Sequence, residues 1–262
     1  MENKWFKFKY ELLLCILLLL LFQVDNGIQF IMFQVIGIKY DSLIAHILSI
    51  ILHAGIFTVV IAIGLHDQKT SLVDVCHFKK PGINVLGAAA LCSIGFVLLM
   101  FYLNHIIYLF FTGWPVYPAG NYIDRFLPVV IINTCVIPAI AEELLFKGVI
   151  FKGLEKRYSR KTAVIISSIM FSICHLNPVR LITHFLFSAC TFWLYLRTGS
   201  ILFPILIHFI NNLLANVLIA EPFARLETFL VAQVIFWLGF YILWRVTKKQ
   251  DIQRDTQEEG PR

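Results

Sequence analysis

The chain has 262 residues, of which 59% are hydrophobic, 15% aromatic and 15% charged, with a formal charge of +6 and a mean hydropathy of +0.79. A soluble domain carries about 25% charged residues, so this composition excludes an ordinary water-soluble globule and places most of the chain in lipid. The basic residues lie between apolar runs rather than in a stripe interleaved with exposed aromatics, which excludes a nucleic-acid module and assigns them to membrane topology.

A membrane-crossing helix needs about 20 mostly apolar residues, within a range of roughly 17 to 25. Long runs without alternation favour helices over a barrel. The N-terminal MENKWFKFKYELLLCILLLLLFQV begins like a signal peptide. No small-residue cleavage site follows, so it is read as an uncleaved first span over 11–33, interrupted by Asp25, Asn26 and Gly27. Further spans are predicted over 43–65, 83–111, 127–154, 162–176, 181–196, 201–219 and 229–244. The expected fold is therefore an all-α polytopic transmembrane helical bundle of about eight helices. It divides into helices 1–3 (residues 1–124), a core of helices 4–7 (125–220), a C-terminal helix (221–246) and a polar tail (247–262) expected to be disordered and cytoplasmic.

The positive charges test this count. With a cytoplasmic N-terminus, the outer loops carry four basic residues, Lys39, Arg125, Arg180 and Arg225, and the cytoplasmic side carries 17, with Lys147 left inside a helix. That asymmetry predicts eight spans with both termini inside, in the plasma membrane if the source is a bacterium. The loop TGWPVYPAGNYIDR lies outside, along the interface. The six cysteines are scattered without a C-x-x-C pair, and most read as small apolar residues of the bundle.

An ionisable group at the bilayer centre costs about 2.5–3.5 kcal/mol on insertion scales, so such residues face partners or wet cavities. Three clusters stand out, all in the second half. In AIAEELLFKG, Glu143 and Lys147 are spaced i,i+4 as an ion pair, and Glu142, about 100° round the helix, is left for another partner. Pro138, four residues earlier, is expected to kink or open the helix. In FSICH, Phe171 and His175 share a face, while Cys174 points away. In HFINN, His208 and Asn212 share a face, and Asn211 points elsewhere.

Counted from the basic residues at the cytoplasmic ends, Glu142 and His175 both lie about 21–22 Å deep and His208 about 16 Å. The three helices are thus expected to share one cavity. Isolated intramembrane histidines (His46, His53, His105 and His184) are read as helix–helix hydrogen bonds, and His66 and His77 as residues of a cytoplasmic loop.

The residue types point to hydrolysis. A carboxylate and an imidazole activate water, and a second imidazole with an amide donates to an oxyanion. No serine or cysteine is paired with a base as a nucleophile. A metal is the other way to activate water. Glu142, His175 and His208 are zinc-type ligands, but H-E-x-x-H is absent.

EELLFKG, FSICH and HFINN, in this order on apolar helices, resemble the three motifs E-E-x-x-x-R, F-x-x-x-H and H-x-x-x-N of the CPBP (Abi) intramembrane proteases. That family includes type II CAAX prenyl endopeptidases and bacteriocin-processing or immunity proteins. The resemblance covers about residues 125–220. It implies a membrane-embedded endopeptidase acting on a peptide or lipidated protein, with membrane lipids as surroundings and no nucleic acid. It also implies that Glu142 and His175 activate water, that His208 and Asn212 form the oxyanion hole, and that Glu143, Lys147 and Phe171 support them. Family members have been labelled metalloproteases, whereas a glutamate–histidine mechanism requires no cofactor. Lys147 stands where the motif has arginine; it keeps the charge and loses the planar fork. The rival expectations are a non-catalytic membrane immunity or scaffold protein and a transporter. The transporter reading is disfavoured because the polar clusters sit in one half of the chain.

Overall fold

The computed structural model describes residues 9–39, 42–76, 82–112, 127–217 and 225–258, with side chains to Lys248. The loop expected to lie outside the membrane falls, from Gly113 to Arg125, beyond these residues, as do Lys4, Lys7, His77, Lys79, Lys80 and Arg262. Nine helices account for nearly all of what is described: α1 (Lys9–Phe30, running on through a π-turn to Val35), α2 (Leu43–Asp67), α3 (Leu72–Val75), α4 (Ile83–Thr112), α5 (Leu127–Glu155), α6 (Arg160–Cys174), α7 (Leu181–Thr198), α8 (Leu202–Val217) and α9 (Leu226–Glu258). Apart from the single-turn α3, they are the eight predicted helices in order.

Five of them, α1, α2, α4, α5 and α9, are long and apolar enough to cross a membrane. The other three have 15, 18 and 16 residues. At 1.5 Å per residue they are about 22–27 Å long, less than the ~30 Å of a bilayer core. These short helices pack around the central α5, whose residues Leu145 to Phe151 are buried on every side. A helix apolar all round belongs at the centre of a bundle, and here it carries the acidic motif.

Two features of α5 follow from its sequence. Pro138 has no amide hydrogen, and its ring crowds the carbonyl four residues back. The chain takes this up as a π-turn over Ile132–Val136 just before an α segment Ile137–Glu143. A second π-turn, Leu144–Ile150, follows directly on the glutamates. There Gln68 at the end of α2 donates to the Val149 carbonyl at 2.8 Å, satisfying backbone that the wider turn leaves short of partners.

α9 lies along α4. A Cβ on Gly95 would collide with the backbone of Phe236, and one on Gly239 with the backbone of Cys92. Small residues at these two crossings let the helix backbones touch, as is common where van der Waals packing drives association in lipid.

At one end of the bundle, α1 is tied to the core by Arg157, which donates to both oxygens of the buried Glu11 at 3.0 and 3.1 Å. α3 opens with a capping box in which the Ser71 hydroxyl and amide donate to Asp74. The Ser71 hydroxyl, then its amide, hold the Asp74 carboxyl below the usual carboxylate range.

Several expectations change. Asp25, Asn26 and Gly27 do not interrupt α1, because Asp25 is buried against partners on α2 rather than exposed to lipid. His66 sits in the last turn of α2, not in a loop. The tail expected to be disordered from 247 continues α9 as helix to Glu258. Extending a helix already nucleated costs far less than starting one, and QRDTQE is rich in helix formers.

Candidate active site

α6 starts at an N-cap where Ser159 accepts from the Thr162 amide. It ends at His175, which is the C-cap residue rather than part of the helix. Leu176 then adopts φ +48°, a left-handed conformation costly for a side chain with a Cβ. Pro178, two residues on, prevents the helix from resuming. At this stop His175 turns its Nδ1 back to the Phe171 carbonyl at 2.7 Å, occupying one of the last carbonyls a helix leaves unpaired. A carbonyl only accepts, so Nδ1 carries the proton and Nε2 of the neutral ring presents its lone pair.

That Nε2 lies 3.7 Å from Glu142 Oε2 on α5. The same carboxylate oxygen is 3.9 Å from Nε2 of His208 on α8. Both separations are too long for direct hydrogen bonds; across such a gap a water can contact both atoms. Glu142 is half-buried, and its Oε2 is enclosed without a direct hydrogen-bond partner.

His208 is buried, and its Nδ1 is 2.9 Å from Glu143 Oε1. Glu143 Oε2 is in turn 2.5 Å from Lys147 Nζ. Both members of that ion pair are fully buried, and the ammonium lies 4.4 Å from the ring centre of Phe192. Glu143 therefore has two partners rather than the one expected: it joins the cation of its own helix to the histidine of α8. His208 thus has Glu143 within hydrogen-bond distance of Nδ1 and Glu142 farther off on its Nε2 side.

Phe171 is buried between the histidines, 4.6 Å from the His175 ring and 6.1 Å from that of His208. Phe187 of α7 closes on His208 at 5.0 Å. Asn212 lies one turn beyond His208 on α8. The amide of the neighbouring Asn211 donates to Asn212 Oδ1 at 3.2 Å. With its oxygen so engaged, Asn212 keeps its NH2 group as the donor for another acceptor.

Two residues enter the picture that sequence reading set aside. His184 of α7 stacks on His175, with ring centres 4.0 Å apart, and its Nδ1 is buried without a hydrogen-bond partner. No spacing rule links residues nine apart across a loop, so nothing in the sequence marked it. His53 does make an interhelical contact, but to a buried acid, Asp25, in the first half of the chain. The polar groups are thus not confined to the second half. Cys174 lies beside His175, and all six cysteines are free thiols.

Among the described residues no group of three His, Cys, Asp or Glu side chains is gathered to hold a metal ion. The expected set Glu142, His175 and His208 has its facing atoms 3.7 and 3.9 Å apart. The water route below uses no metal.

Residues 124–214 match the family described as type II CAAX prenyl endopeptidase Rce1-like. A curated Bacillus subtilis (strain 168) protein named "Putative membrane peptidase YdiL" is 30% identical over 96 residues, which make up 37% of this chain and 39% of that protein. The chain thus aligns with well under two thirds of that relative. No solved structure matches. The matched residues contain all three motifs, from Glu142 to Asn212, and agree with the resemblance drawn from those motifs: this region is similar to the type II CAAX prenyl endopeptidases and to a named membrane peptidase.

Proposed function

We propose that this protein is an intramembrane endopeptidase that hydrolyses a peptide bond of a peptide or membrane-tethered protein with water activated by Glu142 and His175. The observation that carries the reading is the convergence of Glu142 Oε2 on two imidazole Nε2 atoms, 3.7 and 3.9 Å away, inside an apolar bundle. A water bridging Glu142 and His175 donates a hydrogen to each. As its oxygen bonds to the scissile carbonyl carbon, one proton passes to this pair, and the carbonyl oxygen becomes an oxyanion. His208, with Glu143 behind its Nδ1, presents an Nε2–H to that oxyanion, and the Asn212 NH2 is the second donor. When the tetrahedral intermediate collapses, the C–N bond breaks and the proton held by the Glu142–His175 pair goes to the leaving amine. Phe171 and Phe187 limit water around these groups, which strengthens each electrostatic contact.

Zinc held by Glu142, His175 and His208 is the other way to activate the water, and the same assay separates the two. Purified full-length protein in detergent or nanodiscs is incubated with a peptide library, with and without chelator. Glu142→Gln is expected to abolish cleavage while expression is kept. Asn212→Ala is expected to lower kcat on the order of 10²–10³-fold. Full cleavage by the Glu142→Gln variant overturns the role given to Glu142, whereas a biological phenotype that Glu142→Gln retains without cleavage favours a scaffold. Loss of activity in chelator, restored by zinc alone, overturns the metal-free route.

A further inference from the structure

A second ionisable cluster lies away from Glu142, where α1, α2 and the first π-turn of α5 meet. Asp25 of α1 is 2% exposed. Its Oδ2 is 2.9 Å from His53 Nε2 on α2 and accepts from Gln29 Nε2 at 3.0 Å, while its Oδ1 is buried without a hydrogen-bond partner. His53 Nδ1 is 3.1 Å from the amide oxygen of Asn133 on α5. The Asn133 NH2 donates to the Ser49 hydroxyl at 3.1 Å. The Phe22 ring of α1 stands edge-on to the imidazole at 5.8 Å.

Both ring nitrogens of His53 therefore face oxygen acceptors. A neutral imidazole has one N–H and one lone pair, so it would leave a lone pair against an oxygen on one side. Only the imidazolium donates to both. Charge leads to the same answer independently. Asp25 is enclosed within a membrane helix, where an uncompensated carboxylate is expensive. Among the described residues His53 is the basic group in ion-pair contact with it.

We propose that Asp25, His53 and Asn133 form a second buried site whose ligand is a proton. The site holds His53 as an imidazolium between carboxylate and amide, and it pins α1 and α2 to the helix that carries Glu142. Three helices are joined through one charged ring, so the N-terminal pair is held against α5 by a group that needs its proton. The proposal does not rest on the hydrolytic reading, and the site shares no residue with it.

The test is nitrogen NMR of the full chain in nanodiscs, labelled with 15N-histidine, with His53→Gln assigning the resonances. At neutral pH the wild-type His53 ring is expected to show two protonated nitrogens, and Asp25→Asn to reduce this to one. A wild-type ring with one bare nitrogen, as an Asn133 amide turned to donate would produce, overturns the proposal. So does a doubly protonated ring that persists in Asp25→Asn. Should Asp25→Asn fail to fold, Asn133→Leu serves in its place. It removes the amide acceptor at Nδ1 and leaves the carboxylate, and the ring is expected to keep the Nε2 proton that faces Asp25; a bare Nε2 there overturns the ion-pair assignment.

Discussion

Glu142 and Glu143 are adjacent in sequence and differ entirely in surroundings. One turns its carboxylate towards two imidazole nitrogens, while the other is sealed between Lys147 and His208. The i,i+4 spacing made the Glu143–Lys147 pair legible in the sequence, because that contact is set by one helix's geometry. The link from Glu143 to His208 was not legible, since it joins residues 65 apart that meet only once α5 and α8 pack. Lys147 is thus the positive end of a buried chain rather than a simple surface-type pair. Removing one partner of a buried pair leaves an uncompensated charge, so Lys147→Met is expected to destabilise the protein by about 3–5 kcal/mol. Adding Glu143→Gln should return part of that loss. Thermal or denaturant unfolding of the purified single and double variants measures both, and a Lys147→Met variant as stable as wild type contradicts the chain.

The helices show where local rules suffice and where they stop. Hydropathy located the long helices α1, α2, α4 and α5 within a few residues, because burial in lipid depends on a run of neighbours along the chain; it missed the polar end of α9, which runs to Glu258. The ends of α6 carry local signals, Ser159 at its N-cap and Pro178 beyond its stop. The placing of His175 at the cap, with its ring folded back on Phe171, needed the structure. So did the pairing of α4 with α9 through Gly95 and Gly239, which carry no motif. Alanine at either position pushes a Cβ into facing backbone, so Gly95→Ala and Gly239→Ala are each expected to cost about 1–3 kcal/mol. Gly87, on the same α4, has open space around its missing Cβ. Gly87→Ala should therefore be neutral or stabilise by about 0.5–1 kcal/mol, as a helix interior gains from losing a glycine. Unfolding midpoints of the three variants compare the two effects directly, and equal shifts in all three would show that the crossing glycines have no special role.

For the whole molecule, the bundle places the short helices α6, α7 and α8 around the buried middle of α5, with α1 and α2 on one flank and α4 and α9 beyond. The charge asymmetry of the loops predicts that both termini face the cytoplasm. Reporter fusions at the N-terminus and after Lys248 should report the same side, and a cysteine introduced at Lys39 or Arg180 should react with impermeant thiol reagent from the other. A reporter pair split across the membrane would refute the topology. The sequence by itself determined that the chain is helical and lives in lipid, where its apolar spans lie, and which three motifs hold its acids, imidazoles and amide. Each of these depends on composition or on spacings within one helix. Only the tertiary structure decided that Glu143 is shared between Lys147 and His208, that His184 stacks on His175, and that Asp25 finds His53. Those contacts join residues far apart in the chain, and the energy of a buried charge depends on which partner the packing of other helices brings within about 3 Å of it.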